Sequence, residues 1–199
     1  MKEFEGMTNE ALALLYVEGN NKAFDELLTR TQSSLFAYIM FMVHNEDVAN
    51  DIFQETFIKI ITKLQAGKYT DCGKFTFWIT RIAHNAIMDW YRAQRNENIV
   101  DLPDNNDMSI LKGNQVLDTH RETEIVNEQV LKDVKRMIEA LPATQREVVY
   151  MRFYQQLSFK DIAELTGVSI NTSLGRMRYA LINMRRMARE YKIELCLEG

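Results

Sequence analysis

The stretch Phe159-Lys160-Asp161-Ile162-Ala163-Glu164-Leu165-Thr166-Gly167-Val168-Ser169-Ile170-Asn171-Thr172-Ser173-Leu174-Gly175-Arg176-Met177-Arg178-Tyr179-Ala180 reads as two helices joined by a short turn. Ala163 stands four positions before Gly167, and helices crossing steeply need a small side chain where they approach. They also need Gly at the turn, where a positive φ is cheap. Ile162, Val168, Met177 and Leu181 are placed to fill the wedge between them. Ser158 caps the first helix and Ser169 the second, each offering an oxygen to a free N–H. The second helix carries Arg176, Arg178, Arg185, Arg186 and Arg189, with no acid from Ser169 to Arg189. Short polar groups at Asn171 and Thr172, followed by arginines able to grip guanine or phosphate, suit a helix entering the major groove. Arg185, Arg186 and Arg189, farther along, suit phosphates or open solvent.

Outward from this motif the chain reads as helical in both directions. Val130, Val134, Met137, Ile138 and Leu141 form the end of a stripe that begins near Glu122. Pro142 then ends one helix and opens another over 143–155, with Val148, Val149 and Phe153 buried. The final helix runs from about Asn171 to Tyr191. On the amino-terminal side, Thr8 caps a short helix. A second spans 21–43 with Phe24, Leu27, Thr31, Leu35, Ile39 and Met42 on one face. Asn45 caps a third with Val48, Ile52, Phe53, Thr56, Phe57, Ile60 and Leu64 inward. A fourth spans about 74–95 with Phe75, Trp78, Ile79, Ile82, Ala83, Ile87 and Trp90 inward. From Asn96 the periodicity fails; Pro103, Gly113 and the acids Asp101, Asp104, Asp107 and Asp118 read as a linker. With 8 Gly and 2 Pro in 199 residues, there are too few turn-formers for a many-stranded sheet. The expected fold is all-α: two small helical domains, 1–95 and 122–199, joined by an acidic linker, 96–121.

The formal charge of −4 conceals an alternation. Residues 1–73 carry −5, 74–95 carry +3, 96–140 carry −5 and 141–199 carry +3. Two short basic blocks separated by acidic surface suggest a chain that touches nucleic acid in two places and something else with the rest. The longest apolar run, Leu35–Val43, is nine residues, against roughly 20 for a bilayer span, and the first residues lack a signal pattern. The expectation is a cytoplasmic protein without membrane insertion. Cys72 and Cys196 form no disulfide framework, and His44, His84 and His120 have no metal spacing. No glycine-rich phosphate loop or nucleophile elbow is present, so neither an enzyme nor a cofactor is expected.

In the fourth helix Phe75, Phe77, Trp78, Trp90 and Tyr91 interleave with Lys74, Arg81 and Arg92. Aromatic faces stack on unpaired bases while cations follow the strand. Periodicity alone favours core packing for Phe75, Trp78 and Trp90.

Asp51-Ile52-Phe53-Gln54-Glu55-Thr56-Phe57, the block Phe75-Thr76-Phe77-Trp78-Ile79 with Arg81-Ile82-Ala83-His84-Asn85, and Leu141-Pro142 through Gln145-Arg146-Glu147 to Gly167-Val168-Ser169 occur in one order. In that order the chain resembles bacterial RNA polymerase sigma factors, of the extracytoplasmic-function group by size. The resemblance implies a sigma factor that binds core RNA polymerase and directs promoter-specific initiation. It implies that Asp51, Gln54 and Glu55 dock on the β′ clamp of core polymerase (the β and β′ subunits being the contacts), with Phe53 and Phe57 left to the core. Lys74, Trp78, Arg81, Asn85 and Arg92 would capture the melted minus-10 element, Asn85 helping to hold a flipped base. Ser169, Asn171, Thr172, Leu174, Arg176, Arg178 and Arg185 would read the minus-35 element as duplex. The linker would thread the channel that later holds RNA. Promoter DNA and an anti-sigma factor, in many members membrane-anchored, complete the implied partners. Ser173-Leu174-Gly175 departs from the family pattern of an apolar residue followed by Lys and Ser; Leu174 offers apolar contact to a thymine methyl. The rival reading is a stand-alone helix-turn-helix repressor or activator, which leaves the acidic linker and the Asp51–Phe57 motif without a task.

Overall fold

The structure is a computed structural model that describes residues 4–69, 74–97 and 124–191, with the side chains of 95–97 and 124–131 left aside. Nearly all of the acidic linker, together with Cys72, Cys196, His120 and the side chain of Arg95, lies outside the described residues. Within them stand eight helices, α1 (Asn9–Val17), α2 (Asn21–Val43), α3 (Glu46–Gln65), α4 (Phe75–Glu97), α5 (Glu124–Glu139), α6 (Ala143–Phe153), α7 (Phe159–Thr166) and α8 (Ile170–Glu190). No strand occurs among the described residues, so the expected all-α architecture is the observed one. The chain divides into two compact units, Met1–Val100 and Asp101–Gly199.

Helix starts follow local chemistry. Thr8, Asn20, Asn45, Ser158 and Ser169 each accept a hydrogen bond from a backbone N–H three residues on, at 3.3, 3.2, 3.0, 3.1 and 3.0 Å. Each such cap contributes about 1 kcal/mol. Gly167 takes φ 68° in the left-handed region, and the carbonyl of Ala163 receives the Val168 N–H at 3.0 Å, which is how the chain leaves α7 and turns toward α8.

In the first unit α2 packs against α1, α3 and α4, and α3 against α4. Leu12, Leu27, Tyr38, Ile39, Met42, Ile60, Leu64, Phe75, Ile79 and Ile87 are fully enclosed there. At roughly 1.5–3 kcal/mol per large side chain, this burial dominates the stability of the unit. Arg30 folds the segment ahead of α1 onto α2: its guanidinium donates to the carbonyls of Met7 at 2.6 Å and Phe4 at 2.9 Å while pairing with Glu26. In the second unit α8 packs on α5, α6 and α7, around Val148, Met151, Ile162, Met177, Ala180 and Met187.

Two side chains expected inside are exposed, and others expected there are only partly covered. Phe153, the last residue of α6, is 64% exposed, although Tyr150 and Met151 in the same turn are buried. Leu181 is exposed too and does not fill the wedge, which Ile162, Ala163 and Met177 close without it. Trp78 and Trp90 are half-buried rather than enclosed.

Candidate nucleic-acid interface

On a continuous helix, steps of three and four residues stay on one side. Lys74, Trp78, Arg81, Asn85 and Arg92 differ by such steps or their sums, so α4 and the residue before it carry all five along one edge about 27 Å long. Lys74, Arg81, Asn85 and Arg92 are exposed, and Trp78 half-buried. The ammonium of Lys74 lies 5.6 Å from the centre of the Phe77 ring. Arg92 pairs with Asp89 at 2.6 Å; the pair is open to solvent, so exchanging Asp89 for a phosphate costs little. Trp78 belongs to a cluster with Phe75, at 5.8 Å between ring centres, and with Tyr69, at 5.1 Å. Trp78 is thereby steadied by tilted ring contacts while part of it still meets solvent, as a side chain that stacks on a base must.

Two bonds from distant positions fix α4. The Glu10 carboxylate accepts the N–H of Phe75, the first residue of the helix, at 2.9 Å. That bond, above the other influences on it, holds the Glu10 carboxyl below its ordinary value, as an anion at a helix N-terminus should be held. Farther along, the Tyr91 hydroxyl donates to the Met42 carbonyl at 2.5 Å, at the end of α2. Tyr69, Glu10 and Tyr91 were not singled out by sequence as supports of this helix. The partners of Glu10 and Tyr91 are remote in the chain, and only the aromatic run around Phe75 hinted at the cluster that Tyr69 joins.

The second surface is α8. Ser169 spends its oxygen on the helix start, accepting from the Thr172 N–H and lying 2.8 Å from the Thr172 hydroxyl. Asn171, Thr172, Leu174, Arg178 and Arg185 are exposed, and Arg176 is half-buried. Positions two apart are rotated by about 200°, so Arg176 and Arg178 lie on opposite flanks rather than side by side. Leu174, Arg178, Leu181, Ile182 and Arg185 instead line one groove with Phe159 and Met177, about 400 Å³ in volume. Tyr179, also exposed, joins the outward face without having been flagged by charge or motif. Arg186 is not uncompensated as its sequence neighbourhood suggested: its Nε lies 4.0 Å from Glu190. Ser173 is fully buried against the rest of the unit, and its hydroxyl has no hydrogen-bond partner among the described residues.

On α3, Asp51, Gln54 and Glu55 are exposed and share a face by the same three- and four-residue steps. Ile58, three residues beyond Glu55, is 64% exposed on that face. Phe53 and Phe57 are half-buried and pack on each other, and Phe53 also packs on Phe36. Asp51 and Glu55 also border a groove of about 330 Å³ between α3 and α4, with Asp89 and Trp90 on its far side. Among the described residues no cluster of three or more acidic, His or Cys side chains could hold a metal, and no helix is long and apolar enough to cross a membrane.

Comparison with known proteins joins these surfaces. The family model for sigma-70 region 2 matches residues 27–97, which take in α3 and α4, and that for sigma-70 region 4 matches 131–174, ending inside α8. The RNA polymerase sigma factor YlaC of Bacillus subtilis is 25% identical over 178 residues, 86% of this chain and 97% of that protein. The ECF RNA polymerase sigma-E factor of Haemophilus influenzae is 27% identical, covering 87% of this chain and 91% of its own length. Among solved structures, the sigma factor RpoE in complex with the anti-sigma factor NepR from Bartonella quintana superposes with a TM-score of 0.62 at 20% identity, covering 84% of this chain and 98% of that one. CnrH in complex with the cytosolic domain of CnrY gives 0.62 at 21% identity, over 92% and 97%. The two region models occur in family order and together cover more than half of the chain, and the relatives align along nearly their whole length: the chain belongs to the sigma-70 family of RNA polymerase sigma factors, in its extracytoplasmic-function group.

Proposed function

We propose a division of labour for this sigma factor, which directs promoter-specific transcription initiation by RNA polymerase. Residues 1–95 serve the polymerase and the opened minus-10 element. Asp51, Gln54 and Glu55 on α3 face the β′ clamp. The edge of α4 formed by Lys74, Trp78, Arg81, Asn85 and Arg92 takes the unpaired strand, its cations following phosphates and Trp78 stacking. Each stacked base contributes about 1–3 kcal/mol toward keeping the strands apart. Residues 122–199 read duplex minus-35 DNA with α8, through Asn171, Thr172, Leu174 and Arg178, while Arg176 and Arg185 grip phosphate and Ser169 holds the helix start. Residues 96–121, rich in Asp, act as an acidic tether whose charge suits a channel lined for RNA.

One observation carries this reading: the same chain presents an aromatic and cationic helix edge in one unit and, in the other, a helix-turn-helix whose second helix bears arginines and has no acid before Glu190. Single-stranded and double-stranded DNA call for those two surfaces respectively. The chain performs no bond chemistry of its own and works in the cytoplasm beside the polymerase. An anti-sigma factor is the fitting inhibitor, since the sigma factors it resembles in fold were solved with NepR and with the cytosolic domain of CnrY.

The test is run-off transcription with purified core polymerase on templates selected from random duplexes. Transcripts that require the chain, with permanganate-reactive thymines near the start site, are the expected result. Asn85→Ala should lower that reactivity more than it lowers duplex binding. A chain that ignores core polymerase yet binds duplex avidly alone would overturn the reading.

A further inference from the structure

Gly175 sits inside α8, a helix unbroken from Ile170 to Glu190. Glycine within a helix lowers the folded population about fivefold relative to alanine, so its presence calls for a return. Three internal returns can be examined. The first is a left-handed backbone, but the glycines with positive φ are Gly6, Gly19, Gly67 and Gly167. The second is close packing, but a Cβ built at Gly175 meets nothing within 4 Å. The third is a break in the helix, and α8 runs through. Nothing described inside this chain needs glycine at that place.

Its position says what lies outside. Asn171 and Tyr179 are about 40° away around the helix, Thr172 and Arg178 about 60°, and all four are exposed. Ser173 and Met177, about 200° round on either side, are the buried ones. Gly175 therefore marks the centre of the outward face, with Arg176 on one flank and Arg178 toward the other. A helix lying in a major groove turns the centre of its outward face to the base edges and its flanks to the two phosphate walls.

We propose that Gly175 is the specificity-determining point at which α8 meets the floor of the groove, a base edge standing where a side chain would otherwise be. The proposal rests on the reading of α8 as the duplex-reading helix. Thr172 and Arg178, about 60° to either side, then frame a contact made by bare helix backbone, and the bases tolerated there are set by shape rather than by a hydrogen bond.

The test uses the full chain, free and in holoenzyme reconstituted with core polymerase, on duplexes the wild-type holoenzyme selects from a random pool. Gly175→Ala and Gly175→Ser are compared with wild type by thermal melting, by duplex affinity and by the base preference at each position. Expected are a higher melting temperature for Gly175→Ala, a loss of duplex affinity of at least about fivefold from overpacking, and an altered preference at one or two adjacent base pairs. Capture of a pre-opened minus-10 strand should stay unchanged. Affinity equal to or above wild type overturns the proposal, and so does a loss spread evenly over every position, which would place the phosphate backbone there instead. A lower melting temperature for both variants overturns the claim that the fold does not need the glycine. If the wild-type holoenzyme selects no upstream duplex sequence at all, it is the reading of α8 that fails, a result separate from any behaviour of the variants.

Discussion

Arg178 and Arg176 show how much one helical step decides. Arg178 is exposed beside Leu174 and Arg185 on a single groove, while Arg176 is half-buried on the opposite flank. Arg178→Ala should cost about 1–3 kcal/mol of promoter binding by the holoenzyme and relax specificity at one position, whereas Arg176→Ala should weaken binding evenly across sequences and reduce the salt slope by about 1. Titrating labelled duplex variants at several salt concentrations distinguishes the two. A uniform effect for Arg178 would reassign it to phosphate.

At the scale of elements, α4 depends on a carboxylate from α1. Glu10 is held below its ordinary value of 4.5, chiefly by the Phe75 N–H. The stability this contact contributes is therefore present above the unfolded value and lost as pH falls through the lower, folded one. Wild type should melt above Glu10→Gln at neutral pH, and the gap should close below pH 4.5; a gap independent of pH would show that the charge is immaterial. On α3, Ile58 is a large apolar side chain left 64% exposed beside Gln54 and Glu55. Ile58→Ala should leave the fold intact but weaken co-purification with core polymerase, as Gln54→Ala with Glu55→Ala should; undiminished co-purification would remove Ile58 from the docking face. Most helix starts were legible in sequence, because caps such as Asn45 and Ser158 act on residues three positions away. The turn at Gly167 was legible for the same reason. What periodicity could not supply is which stripe residue finds a partner. Phe153 and Leu181 fit their stripes yet stay exposed. Glu10 and Tyr91 make their bonds across 65 and 49 positions, beyond any local pattern.

As a whole molecule the chain is acidic, −4 in total, although it holds two basic blocks. Its own contacts with phosphate are few, and each depends steeply on salt. At about 0.15 M salt the free chain should bind a selected promoter duplex far more weakly than the holoenzyme does, as measured by anisotropy on one labelled fragment. Equal affinity would mean that the polymerase adds nothing to recognition. The two ties on α4 carry a consequence for timing. A helix fastened near its start by Glu10 and near its far end by Tyr91 has little freedom to fray, so its amide protons should exchange with deuterium only when the whole first unit opens. The helix backbone that we propose meets the bubble would then be set before the first nucleotide flips, and the waiting in initiation would belong to the DNA.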